Sequence, residues 1–418
     1  MSLDRRSFLT RSALLGAGGL AGAGVTERAT ARADDAPAPA PAGVDPQLAA
    51  KLPFDGDHQS GILTGQRDQA TYAAFDVIAP DRSRLAEGLR LLTARARELS
   101  QGTSFGPQEV DDPPADSGTL GTTIAPDGLS VTIAFGASLF DDRYGLAARR
   151  PARLTTMPPF PDDDLDPARC HGDVLLQISA GGRDTVVHTL RELLRPVRDV
   201  FALKWTLDGF QSAARGPSPK AARRNLFGFR DGTSNPDPAD DALMKRLVWV
   251  DGTGDEPAWT SGGTYQVVRA IRMHVEFWDR VGLREQEGMV GRRRADGAPI
   301  GGRSEFQDPR FDLDPKGDRV PLDAHIRLAN PRTAATDDQR ILRRAMNYHR
   351  GFDAAGQLDQ GLIFVAYNKD IERQFRAVQD RLAGEPMVDY ITPVGGGYYF
   401  APRGTAGPTD WVGSGLFA

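Results

Sequence analysis

The chain has 418 residues, of which 40% are hydrophobic and 26% charged, enough for one large or two ordinary folded domains with a well-buried core. Its 51 basic and 56 acidic residues give a net charge of −5, which argues against a nucleic-acid binder. A single cysteine, Cys170, excludes an internal disulfide framework and any multi-cysteine metal site.

In chain order, Arg5-Arg6-Ser7-Phe8-Leu9 is a twin-arginine pattern, and a weakly hydrophobic, glycine-rich run follows from Ala13 to Val25. Ala31-Arg32-Ala33 then supplies an A-x-A cleavage site ahead of Asp34-Asp35. The run is too short and too rich in glycine for a membrane span of about 20 residues. Residues 1–33 are therefore expected to be a twin-arginine signal peptide. The mature chain is expected to be exported folded, to the periplasm or outside the cell, with no stable membrane insertion after cleavage. Losing this segment removes five arginines and two acids, a net +3, which takes the charge from −5 to −8. Residues 34–52, with APAPAPAGVDP at 36–46, read as a Pro/Ala-rich linker.

The folded part is expected to start near Pro53. Residues 72–79 read as a strand, and residues 82–99 as a helix with Leu85, Leu89, Leu92 and Ala96 at helical spacing. Strands at 129–135 and 174–178, a helix at 184–197 and a strand at 200–207 follow. That order, strand-helix-strand-strand-helix-strand, is the split βαβ of a ferredoxin-like unit. The second half repeats it more loosely, with strands at 265–273, 362–367 and 397–400 and helices at 275–281 and 371–382. The expected fold class is α+β, with two ferredoxin-like domains at 53–215 and 216–418. Residues 283–330 show little periodicity and are long for a plain connector, which makes them a candidate functional loop.

The six histidines form no HExxH or other paired-ligand spacing, which argues against a zinc site. Gly395-Gly396-Gly397 lacks the downstream helix of a dinucleotide site and reads as a close-packing turn. The stretch GFRDGTSNP at 228–236 has loop chemistry throughout, yet it fixes one carboxylate, Asp231, between Arg230 and Gly232. His325 lies in DAHIRLANPR at 323–332. A lone histidine there is either a satisfied core residue or the single axial imidazole that a haem iron requires. In ILRR at 341–344 an arginine pair sits within an apolar run.

GFRDGTSNP, AHIRLANPR, ILRR and the closing PVGGGYYFAP resemble the dye-decolourising peroxidases, a family of haem enzymes. Pro53-Phe54 through Gly61-Ile62-Leu63, GQLDQGLIFVAY at 356–367 and the twin-arginine leader are similar to its exported subgroup linked to ferrous-iron uptake, also described as deferrochelatase. The resemblance spans residues 53–418. It implies two ferredoxin-like domains of the dimeric α/β barrel type, with one haem b per chain bound between or within them. The implied reaction is the reduction of hydrogen peroxide with one-electron oxidation of bulky aromatic, dye-type donors. The alternative it implies is a haem- or iron-handling component working with an iron-uptake permease. A homodimer is left open.

Carried over residue by residue, the resemblance makes His325 the proximal haem ligand and sole metal ligand, Asp231 the distal acid–base group and Arg343 the distal arginine. Glu385, ahead of Asp389 and then Asp359, is the candidate carboxylate behind the proximal imidazole. Arg327 and Arg332 are candidates for the haem propionates. Ala345 stands two residues after Arg343, where some relatives carry an asparagine, so any role of that amide is absent here.

Overall fold

A computed structural model describes residues 46–106, 110–216 and 220–418. The expected signal peptide, its expected cleavage site and the expected linker through residue 45 lie outside the described residues. The first repeat runs β1 (Gln69–Val77), α1 (Arg82–Gln101), a small hairpin of β2 (Thr103–Ser104) and β3 (Thr123–Ile124), β4 (Ser130–Gly136), β5 (Val174–Ala180), α2 (Arg183–Leu194) and β6 (Phe201–Phe210). After α3 (Asp241–Leu247) the second repeat brings β7 (Thr264–Met273), α4 (Val275–Trp278), α5 (Leu283–Val290) and α6 (His325–Ala329). It continues with β8 (Leu342–Arg343), β9 (Met346–Phe352), β10 (Leu358–Asn368), α7 (Ala377–Leu382) and β11 (Ile391–Ala401), and α8 (Ser414–Phe417) ends the chain.

Each repeat forms four antiparallel strands in the ferredoxin-like order, β4-β5-β1-β6 and β9-β10-β7-β11. The repeats join at two short seams. Tyr399 and Phe400 of β11 pair with Gly136 and Phe135 of β4, and Phe210 of β6 pairs with Asn347 of β9. Since β7 bonds both β10 and β11, the sheet closes into an eight-stranded ring. Glutamine amides reinforce both seams. Gln59 Nε2 donates to the carbonyls of Ile133 and Pro402, each at 2.9 Å, and Gln211 Nε2 donates to the Ala345 carbonyl at 2.6 Å.

Strand alternation divides the core. Ala73 and Phe75 of β1 pack with Leu85, Leu89, Leu92 and Ala96 of α1, whose first turn is capped by Asp81 accepting from the Arg84 amide at 2.8 Å. Ala70, Tyr72 and Ala74 instead join Leu175, Val268, Ile363, Val365 and Tyr399 in the ring's own filling. An eight-stranded ring is just wide enough to be filled by side chains. Polar side chains also bond across it: Gln177 Oε1 accepts from Gln266 Nε2 and from the Tyr367 hydroxyl, both at 2.9 Å.

The structure corrects the sequence reading in four places. β9 was not anticipated, because MNYHRGF lacks a clean alternation and exposes His349 and Arg350. The stretch 283–330 is not wholly irregular, since α5 and α6 lie inside it. The helix expected at 371–382 begins as a π-helical turn, Glu372–Arg376, before α7. The triple glycine is not a turn but part of β11: Gly396 has φ +123°, and a Cβ there would stand 2.0 Å from the Val268 carbonyl oxygen. Among the described residues, no helix is long and apolar enough to cross a membrane.

Candidate active site

The loop that carries Asp231 is built around Asn225. Its side-chain oxygen accepts from the amides of Phe227 and Phe229, both at 3.1 Å, and its own amide donates to the Phe229 carbonyl at 2.9 Å. Gly228, at φ +83°, lets the chain turn back within this span, and both phenylalanines become buried. The Asp231 amide then donates to the Arg223 carbonyl at 2.9 Å, and Gly232 at φ +93° releases the chain again. Glu305 holds the loop from beneath. It accepts from the Ala222 amide at 2.9 Å and the Thr233 hydroxyl at 3.0 Å, and it lies 3.4 Å from the buried Arg230 guanidinium.

So fixed, the Asp231 carboxylate lies 2.8 Å from Arg343 Nη1. Asn235 registers the two segments: its amide donates to the Arg343 carbonyl at 2.8 Å, and its oxygen accepts from the Arg343 amide at 3.1 Å. The side chains of Arg343 and Asp231 keep 27% and 17% of their surface accessible, so the pair can meet a small ligand.

Asp231, Arg343, His325 and Glu385 line one cavity, which leaves about 1790 Å³ unfilled by protein atoms, adjoining solvent space included. Phe227, Phe229, Met273, Phe364, Leu362 and Val378 give it broad apolar walls, while Arg332, Arg340 and Arg269 also border it. Nearly all of the lining comes from the second repeat, with Asp162 and Asp163 from the first.

His325 opens α6, with Ala324 as its N-cap. Its Nδ1–H donates to both oxygens of the buried Glu385 carboxylate, at 2.8 and 3.0 Å. Burial disfavours the charged imidazole, but the Glu385 charge and hydrogen bond more than offset it, and the pKa of His325 is raised. Among the described residues Nε2 has no hydrogen-bond partner, and the imidazole faces the cavity. A carboxylate that takes Nδ1–H fixes the tautomer with its lone pair on Nε2, the arrangement expected of a histidine metal ligand. The donor set and the apolar walls thus fit a haem. Arg292, also on the cavity, is pushed down to about 10 by burial and then by the nearby charges of Arg332 and Arg343.

The structure therefore brings together Asp231, Arg343, His325, Glu385 and Arg332, and it places other candidates elsewhere. Arg332 adopts φ +59° at the cavity edge, donating to Ser234 Oγ at 2.9 Å and pairing with Asp308 at 3.3 Å. Arg327 turns away: it pairs with Asp314 at 3.2 Å, donates to the Val320 carbonyl at 2.9 Å and lies over the Phe311 ring. Those bonds use the guanidinium to hold the 311–320 loop, so Arg327 does not face the cofactor space. Asp389 is exposed and off the cavity, and Asp359 is engaged by Arg350 at 2.7 Å. The sequence reading missed Asn235, Glu305 and Arg292. Asn235 stood in the quoted loop motif, where an amide before proline looked like turn chemistry alone; Glu305 and Arg292 lie in the aperiodic stretch and carried no local signal.

Residues 59–211 match the family model described as Dyp-type peroxidase, N-terminal, and residues 222–406 match Dyp-type peroxidase, C-terminal. The chain is 48% identical over 370 residues to the Deferrochelatase of Escherichia coli strain K12, covering 88% of this chain and 87% of that protein. Among solved structures, a DyP-type peroxidase from Cellulomonas bogoriensis superposes with a TM-score of 0.78 at 34% identity, covering 88% of this chain and 99% of that one. Ferric DtpA from Streptomyces lividans does so with a TM-score of 0.79 at 33% identity, covering 89% and 98%. The cavity, with the His325 imidazole and the Asp231–Arg343 pair on its wall, thus occurs in a chain that belongs to the Dyp-type peroxidase family, within its deferrochelatase subgroup, and that is a haem-dependent peroxidase.

Proposed function

We propose that His325 Nε2 is the proximal ligand of one haem b per chain, and that Asp231 and Arg343 act together on hydrogen peroxide. The observation that carries this reading is the division of His325: Glu385 occupies Nδ1, while Nε2 is left on the cavity that Asp231 and Arg343 share. Haem, when bound, supplies the redox-active iron through which peroxide is reduced and donors are oxidised by single electrons. Asp231 takes the proton from one peroxide oxygen and returns it to the oxygen that leaves. Arg343 stabilises the negative charge that develops between them. Arg332, at the cavity edge, is the propionate partner, and Glu385 strengthens His325 as a donor. Bulky aromatic compounds are the expected electron donors.

The name of the relatives supports a second reading at the same site, the handling of iron from haem. On this reading the chain works after twin-arginine export beside a ferrous-iron permease. Peroxide turnover against a panel of aromatic donors, run beside an assay for metal-free porphyrin, tests both readings. Turnover that depends on Asp231 supports the peroxidase; porphyrin release without such turnover supports iron handling.

A further inference from the structure

A second, smaller pocket opens beside the distal loop, walled by Asp231, Arg343, Ala345, Met346, Gln66 and Gln211. Met346 begins β9 at the β6–β9 seam and is 3% exposed. Its sulfur is not held by apolar packing alone. Gln211 Nε2 donates to Met346 Sδ at 3.0 Å as well as to the Ala345 carbonyl at 2.6 Å. Gln66 Nε2 donates to the same carbonyl at 3.0 Å and lies 3.9 Å from the same sulfur. A thioether is a weak acceptor, so two amides turned toward one sulfur mark an oriented group in a polar pocket. Ala345, with its short side chain, adds little bulk beside it.

We propose that Met346 is a peroxide-reactive thioether, converted to its sulfoxide by hydrogen peroxide that enters the pocket of Asp231 and Arg343. The inference rests on the distal assignment above, which places peroxide there. A sulfur lone pair attacks one peroxide oxygen, the O–O bond breaks and an S–O bond forms. Sulfur is oxidised by two electrons, and the departing hydroxide takes the proton of the transferred oxygen to leave as water. The product oxygen is a stronger acceptor than the sulfur it replaces, so Gln66 and Gln211 would retain it at the pocket wall, narrowing the space beside Asp231. Continued peroxide would thereby reduce the enzyme's own capacity to use it, reversibly, since methionine sulfoxide is reducible by dedicated reductases.

The test treats holoenzyme with graded hydrogen peroxide without donor, follows residual peroxide turnover and weighs the methionine peptides after digestion. The Met346 peptide is expected to gain one oxygen ahead of Met157 and Met244, which are buried and line neither pocket described here. Residual turnover is expected to fall as that peptide is modified and to recover after sulfoxide reductase treatment. Met346→Leu is expected to keep the initial turnover and to retain it longer in excess peroxide. Gln211→Leu, which leaves the thioether but removes its nearer amide, is expected to slow modification of Met346. Peroxide consumption with Met346 unmodified, or modification of Met157 and Met244 at the same rate, would overturn the inference while leaving the peroxidase reading intact. An absence of peroxide turnover from the outset, with haem bound, would instead remove the distal assignment.

Discussion

Asn235 binds both the amide and the carbonyl of Arg343, so the loop that carries the acid also sets the backbone that carries the arginine. The 2.8 Å pairing of Asp231 with Arg343 is thus a consequence of one asparagine joining two distant segments.

Replacing Asp231 by Asn keeps the shape of the loop and removes the base. Loss of a positioned acid–base group costs about 10²–10⁴-fold in rate. Stopped-flow spectra should show that cost in the first spectral change after peroxide is added, with haem content unchanged. On the proposed roles Arg343→Leu should slow the same phase, and the double variant should lose less than the sum of the two, as expected of groups that act on one step. Wild-type rates in both variants would exclude the pair.

Asn235→Ala separates positioning from chemistry. It leaves the Arg343 peptide groups without their side-chain partner, at a cost of about 1–3 kcal/mol in stability. The peroxide phase should slow while the affinity for haem, measured by titration, stays near wild type. A variant that melts earlier yet reacts at the wild-type rate would show that this tether does not serve the reaction.

His325→Ala should lose most of its haem, or hold it with a changed Soret band. Glu385→Gln should bind haem through the same imidazole with a raised reduction potential, because a neutral amide is a poorer partner for Nδ1–H. Such partners of ligating histidines are typically worth about 10–100-fold in metal affinity or activity. Spectroelectrochemical titration of wild type and variant distinguishes this from simple misfolding, which would change haem occupancy instead.

The 311–320 loop beside the cavity gives a pH prediction. The Val320 and Arg319 amides, with Arg327, hold the Asp314 carboxyl below the usual carboxylate range against the cost of desolvation. A depressed folded pKa contributes stability above the unfolded value of about 3.9. That contribution is lost as pH falls through the lower folded value. Haem retention on acid titration should therefore drop in this window, and Asp314→Asn should be weaker at neutral pH but flatter across it. Identical acid profiles would refute the link.

Much of the site was legible because its residues sit in short contiguous stretches. GFRDGTSNP carries Asp231 together with Asn235, and the ferredoxin-like order of the first half followed from clean alternation and helical spacing. The strand β9 was not legible, because its end is solvent-exposed and its start faces a pocket, so neither period shows. Arg327 and Arg332 looked equivalent in AHIRLANPR. What separates them is tertiary: Asp314 captures one, while the left-handed backbone at Arg332 sends the other to the cavity edge. Glu385 could be preferred but not assigned, since it meets His325 from 60 positions further along the chain.

The closed ring has a consequence for the chain as a heritable unit. Four strands of either repeat, taken alone, end in two bare edges, β4 and β6 in one, β9 and β11 in the other. Unpaired edges recruit further strands. Expressed apart, residues 53–215 and 216–418 are therefore expected to form strand-paired oligomers, and co-expression should let each serve as the other's cover. Two units of this kind protect each other: joined edge to edge, neither can be removed without leaving the other adhesive.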